Sequence, residues 1–304
     1  MISFERFLEL PTDEVARLVK ATGQKVCVFP VNGTRRWFML EHADKIDDDF
    51  IAAYMDEAIL NHVTLCSMLF DHGIQTILAP VFGRELMHRG DEYTRRVGID
   101  GLVRTATDEN YRSFFAEYGV RVRFYGDYRD ILTGTPYEYA LKSMYEVSEA
   151  TRDNSTFQLF FGVFADEALE TVARHSVEYY LAQGAVPDKQ TLIRKYYGED
   201  LPPVSIFIGF DKFSAFDMPL LSTGAEDLYF SVSPSPYMTE RQLRTILYDH
   251  LYLRRTPEPD YTKFSPDQLD WLRRYYQSNR DHVLGAGKLK FDLWLPQTTG
   301  PEND

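Results

Sequence analysis

Cysteine is almost absent: Cys27 and Cys66 are the only two in 304 residues. One lies in an apolar run and the other on an apolar helical face, which suits buried reduced thiols and excludes a disulfide-stapled scaffold. No apolar stretch approaches the roughly 18 residues of a membrane span, so a lipid-like substrate would have to sit in a protein pocket. The first twenty residues carry acids throughout and show no secretory pattern, so a cytoplasmic location is expected. Basic residues are also scarce, 33 Lys and Arg against 46 Asp and Glu, for a net charge of -13. That balance excludes a broad nucleic-acid or anionic-membrane surface, and an anionic ligand would require arginines gathered at one place. The seven histidines show no zinc-ligand spacing, and no G-x-G-x-x-G follows a strand pattern, which removes a dinucleotide-binding reading. Without repeats or Gly/Ser linkers, one domain over 1–304 is expected, with a helical extension from about 257.

What is present is a recurrence of short β-branched and aromatic runs. They cover Lys25 to Val31, Ile74 to Phe82, Val120 to Tyr125, Phe157 to Phe164, Val204 to Phe210 and Leu228 to Ser233. Their near-continuous hydrophobicity predicts about six strands of a central parallel sheet covered on both faces. Helical spacing appears over Phe50 to Phe70, Asp166 to Ala182, Thr239 to Leu253 and Ser265 to Ser278, so the class is α/β with flanking helices. Asp47, Asp48 and Asp49 read as acids favoured at a helix N-terminus rather than as metal ligands, and Gly73 suits the position after the helix.

The densest chemistry is Asn32-Gly33-Thr34-Arg35-Arg36-Trp37, directly after the first strand. Open parallel sheets bind ligands at that end. Gly33 permits close backbone approach, and two guanidiniums supply forked donors suited to a diphosphate. From the residues alone, a basic turn paired with surface carboxylates is an equal alternative.

The segment resembles the His-Asp-Gly-Asn-(Gly or Arg)-Arg-Trp signature of cis-prenyltransferases. Phe82 to Glu92 (FGRELMHRGDE) resembles the Phe-Ser-Thr-Glu-Asn-Trp-Lys-Arg-Pro segment of that family and keeps Phe82, Glu85 and Arg89; Phe161 to Glu167 sits where the family has Phe-Asn-Tyr-Gly-Gly-Arg-Asp-Glu. Asp217 to Phe230 (DMPLLSTGAEDLYF) resembles Asp-Leu-x-Ile-Arg-Thr-Gly-Gly-Glu-x-Arg-Leu-Ser-Asn-Phe, but Leu221 and Asp227 replace the arginines that hold isopentenyl diphosphate in elongating members, and Leu86 replaces an asparagine. Leucine offers no donor and aspartate repels phosphate, so chain elongation is not expected. Over Lys25 to Tyr275, with GTRRWF, IGFDKFSAFDMPLLSTG and YMTERQLRTILYDHLYLR, the sequence is similar to a cis-prenyltransferase-fold subfamily of diterpene synthases, that of tuberculosinyl adenosine transferase and kolavelool synthase.

The resemblance implies that a bicyclic diterpenyl diphosphate is ionised, with Mg²⁺ as cofactor and a homodimer as the assembly. The cation is expected to be trapped by water, giving a tertiary allylic alcohol such as kolavelool; adenosine is the alternative nucleophile, and a noncatalytic partner subunit the rival from another class. Asn32, Arg35 and Arg36 are the expected catalytic residues. Gly33, Thr34, Trp37, Phe50, Tyr54, Phe82, Arg89 and Phe210 are expected around the substrate. Asn32 occupies the place of a family aspartate that is the expected metal ligand; an amide brings no full charge to Mg²⁺ and cannot act as a general base. An inactivated Asp-to-Asn variant is the reading this favours. Phe50 aligns, within one residue, to a family tyrosine. Asp91, Glu92 and Asp127 read as solvated loop acids.

Overall fold

The computed structural model describes residues 2–46 and 49–297. Six strands, β1 (Val26–Val28), β2 (Thr76–Phe82), β3 (Val120–Tyr125), β4 (Phe157–Val163), β5 (Ile206–Phe210) and β6 (Asp227–Ser231), pair in parallel in the order β3-β4-β2-β1-β5-β6. Each run singled out in the sequence matches one of them, β6 starting one residue earlier than its run, at Asp227. Alternation along the strands sends Cys27, Ile77, Leu159, Phe161 and Ile206 into one apolar layer and Val26, Val28, Leu78, Phe160 and Phe207 into the other. Both faces are therefore buried, which is why the strands read as hydrophobic without alternation. Cys27 and Cys66 are free, buried thiols whose pKa values burial pushes up.

The chain leaves β1 toward β2 and leaves β5 toward β6, on opposite sides, while β1 and β5 are neighbours. A crevice opens at the carboxyl ends of such a pair of strands, where the strand order reverses. The helix Phe50–Asp71 starts at Asp49, whose side chain accepts from the Ala52 amide, and Gly73 follows it at φ +92°. Asp47 and Asp48 lie outside the described residues.

Three sequence expectations are modified. The helix expected from Asp166 begins at Ala168, leaving Asp166 and Glu167 in the loop after β4. The Thr239 to Leu253 pattern forms an α-helix over Glu240–Tyr248 that widens to a π-helix over Asp249–Leu253. Asp127 is not a solvated acid: it accepts from Arg84 at 3.0 Å, Arg174 at 2.9 Å and the Thr171 hydroxyl at 2.5 Å. Arg84 also reaches Glu167 at 3.2 Å, so one guanidinium ties together the loops after β2, β3 and β4. Beyond residue 257, a helix over Pro266–Asn279 carries a Ser265/Gln268 capping box, and an antiparallel hairpin follows, β7 (Gly287–Lys290) with β8 (Leu293–Pro296).

Candidate active site

The crevice between β1 and β5 is the mouth of a cavity of about 1800 Å³. Gly33 stands at its rim with φ +77° and ψ +9°, capping the helix Thr34–Glu41. A Cβ there would meet the Phe210 ring at 2.8 Å and Pro234 at 2.9 Å, so conformation and space both demand glycine. The adjoining loop is pinned from behind: the Asn32 amide donates to Ser235 Oγ at 3.1 Å, and the Ser235 amide donates to the Asn32 carbonyl at 3.0 Å.

Of the residues expected at the site, Asn32, Gly33, Thr34, Arg35, Arg36, Tyr54, Phe82, Arg89 and Phe210 line this one cavity. The Arg36 guanidinium stacks over the Phe210 ring at 5.3 Å and lies 3.6 Å from Asp211. Phe210 therefore braces a cation of the protein while it also lines the cavity. Arg35 lies over the Tyr93 ring at 5.8 Å and, among the described residues, has no ion-pair partner. Arg89 reaches Glu85 at 3.2 Å. Thr34 Oγ1 and the Tyr54 hydroxyl share a hydrogen bond of 2.7 Å, and burial pushes the Tyr54 pKa up to about 12, so the phenol keeps its proton at neutral pH.

Two expected residues stand behind the wall. Trp37 and Phe50 do not line the cavity: Trp37 is buried in a small cluster with Phe38 and Tyr54, and Phe50 packs against the same cluster, stacked on Tyr54 at 5.9 Å. The helix Thr34–Glu41 turns position 37 inward while its first turn faces the cavity.

Leu221 and Asp227 are placed differently from the sequence reading. Leu221 is fully buried in the core. Asp227 opens β6, at the end of the strand remote from the crevice, and accepts from His250 Nδ1 at 2.6 Å beside Arg255 at 3.4 Å and Arg254 at 3.8 Å. Neither lines the cavity. Position 221 is thus a core contact and position 227 part of an ion network away from the cavity, so Asp227 is not placed to repel an anion bound there.

Sequence reading missed the acids of the cavity. Asp166, Glu167 and Glu170 from the region after β4, with Asp211 and Asp217 from the loop after β5, also line the cavity, beside Lys212. Acids in loops carry no periodic signal and read as solvated. Asp217 is set apart by backbone and burial: it holds φ +55°, its carbonyl accepts from Tyr125 at 3.0 Å, and burial, with a smaller effect from Asp166, raises its pKa to about 6. A folded pKa above the unfolded one means that ionised Asp217 opposes folding, a cost absent near pH 4 and present above about pH 6. Asparagine tolerates the same φ and carries no charge. Asp217→Asn is accordingly expected to raise Tm at pH 7.5 and leave it nearly unchanged at pH 4, as scanning calorimetry at the two pH values would show.

No family model matches the chain. It is 42% identical over 299 residues to tuberculosinyl adenosine transferase of Mycobacterium tuberculosis, spanning 98% of this chain and 99% of that relative. The chain belongs to the tuberculosinyl adenosine transferase family. A more distant relative is the (+)-kolavelool synthase of Herpetosiphon aurantiacus, 24% identical over 302 residues, 98% of this chain and 96% of the relative. Among solved structures, lavandulyl diphosphate synthase from Lavandula x intermedia, in complex with dimethylallyl diphosphate, matches with a TM-score of 0.61 at 12% identity over 83% of this chain and 100% of that one. A probable undecaprenyl diphosphate synthase from Campylobacter jejuni matches with 0.53 at 14% over 79% and 98%. The fold of the family is that of the cis-prenyltransferases.

Proposed function

We propose that the protein ionises a bicyclic diterpenyl diphosphate of the kolavenyl or tuberculosinyl type and passes the allylic cation to a nucleophile in the same cavity. The C–O bond breaks with its electron pair leaving on the diphosphate, and the nucleophile's lone pair forms the new bond to carbon; where water is the nucleophile, its surplus proton passes to the released diphosphate. Arg35, Arg36 and Arg89 hold the departing anion, a task that fixed donors in a partly dry site perform with little reorganisation. Tyr54, Phe82 and the aliphatic wall at Val31, Leu86 and Met218 line the space for the hydrocarbon. At about 1800 Å³ the cavity exceeds the roughly 300–1,000 Å³ usual for one small ligand, so substrate and nucleophile fit together.

The observation that carries this reading is the clustering of three arginines, one without an ion-pair partner among the described residues, at the rim of a large, partly apolar cavity in a chain of net charge -13. Adenosine is the favoured nucleophile, because identity to the adenosine transferase is 42% against 24% to the kolavelool synthase. Water, giving a tertiary alcohol such as kolavelool, is the second reading and rests on the latter similarity. A homodimer in the cytoplasm belongs to the same proposal.

Mg²⁺ at Asn32 finds no matching donor set. The amide offers one neutral oxygen, and among the described residues no three His, Cys, Asp or Glu side chains form a metal-binding group. No step is assigned to the ion, and ionisation is carried by the guanidiniums. Incubation with tuberculosinyl or kolavenyl diphosphate, with and without adenosine, followed by mass spectrometry, is expected to give the adenosine adduct when adenosine is present and the alcohol when it is not. Intact substrate in both tubes, with the Asn32→Asp form equally inert, would contradict the proposal.

A further inference from the structure

The loop that leads to the arginines runs outside the sheet. β1 ends at Val28, and the chain then passes to Gly33, a left-handed glycine whose backbone freedom has to be removed if Arg35 and Arg36 are to stand fixed. Resting on the reading that this arginine wall of the cavity takes the diphosphate, we propose that Ser235 is a positioning residue for it. The bracket Pro234 to Tyr237, in the connection after β6, holds the Asn32-Gly33 backbone from behind and through it the first turn of the helix Thr34–Glu41.

Three observations support it. Ser235 is 3% exposed and does not line the cavity, so it acts through the loop and not on a ligand. It exchanges hydrogen bonds with the loop as a neighbouring strand would. The Asn32 amide is shared between Ser235 Oγ at 3.1 Å and the Pro30 carbonyl at 3.0 Å, the Ser235 amide donates to the Asn32 carbonyl at 3.0 Å, and the Ser235 hydroxyl donates to the Pro30 carbonyl at 3.4 Å. Pro234 closes on the same turn, since a Cβ at Gly33 would stand 2.9 Å from its own.

The bracket is itself anchored at places apart from the loop. The Pro236 carbonyl accepts from Asn61 Nδ2 of the helix Phe50–Asp71 at 3.4 Å, and the Tyr237 hydroxyl donates to Glu41. The Tyr237 and Met238 amides donate to the Pro234 and Ser235 carbonyls, and two prolines narrow φ along the segment. Both ends of the helix that presents Arg35 and Arg36 are therefore tied to one rigid piece. Donors serve a developing anion when their place is set beforehand, and a misplacement of about 1 Å costs on the order of 10²-fold in rate.

Titration calorimetry of the intact protein with inorganic diphosphate, with backbone hydrogen exchange of residues 30–36 followed by mass spectrometry, tests the proposal. Ser235→Ala is expected to bind diphosphate about tenfold more weakly, to exchange faster over 30–36, and to lose more in kcat for diphosphate release than it gains in KM. Ser235→Cys keeps the volume but offers only a weak hydrogen-bonding group, so it shifts the same way and stays readable if the alanine variant folds poorly. Asp227→Ala, which loosens the fold away from the cavity, is the control and should bind diphosphate like the parent. Parent-like binding in both Ser235 variants, or equal weakening in Asp227→Ala, would overturn the proposal and leave the diphosphate reading standing. A parent protein that binds no diphosphate would overturn that reading and this proposal with it.

Discussion

Replacing Arg36 by alanine is expected to lower kcat for diphosphate release by about 10²–10³-fold, the loss typical when one fixed donor to a developing anion is removed. The guanidinium is held in place by the Phe210 face and Asp211, so its position is set before substrate arrives. KM should change much less than kcat, because charge on the bridging oxygen grows as the C–O bond breaks. Arg36→Lys should recover little: a lysine offers neither the planar fork nor the stacking surface. Steady-state assays of released diphosphate would show the split, and a variant that loses affinity but keeps kcat would reduce Arg36 to a tether.

A second large effect is expected far from the cavity. Asp227→Ala removes the common acceptor of His250, Arg254 and Arg255, with His250 fully buried and its pKa lowered by burial against the opposing pull of Asp227. Breaking a buried ion network from one side costs about 3 kcal/mol, toward the lower end of such losses because both arginines keep access to water. The urea midpoint should fall accordingly while diphosphate release by the surviving folded protein stays near the parent value. Asp227→Arg should be as damaging to stability and should not confer condensation with isopentenyl diphosphate. A gain of elongation in that variant would show that position 227 does face a phosphate.

The sheet was legible because its central strands are buried on both faces, so runs such as FQLFFGVF are nearly continuously apolar. The arginine wall was legible because Gly33, Arg35 and Arg36 are consecutive and sit at a strand end. Neighbours in sequence need not share a wall, however: helical rotation carries Trp37 into the cluster with Phe38 and Tyr54. The acids of the cavity were invisible for the opposite reason. Asp166 follows β4 while Asp211 and Asp217 follow β5, two strands that β2 and β1 separate in the sheet, and only the shared carboxyl edge of that sheet brings them to one cavity. Asp227 shows the limit of reading by correspondence: its charge was noted, but His250 and the two arginines that neutralise it lie more than twenty residues onward.

Binding of inorganic diphosphate tests the role of the arginine wall most directly. Titration calorimetry of the parent protein should show saturable binding that weakens at least tenfold in Arg35→Ala and again in the Arg35→Ala, Arg36→Ala double variant, with little change in Asp217→Asn. Binding that is absent in the parent, or unaltered when both arginines are removed, would contradict it.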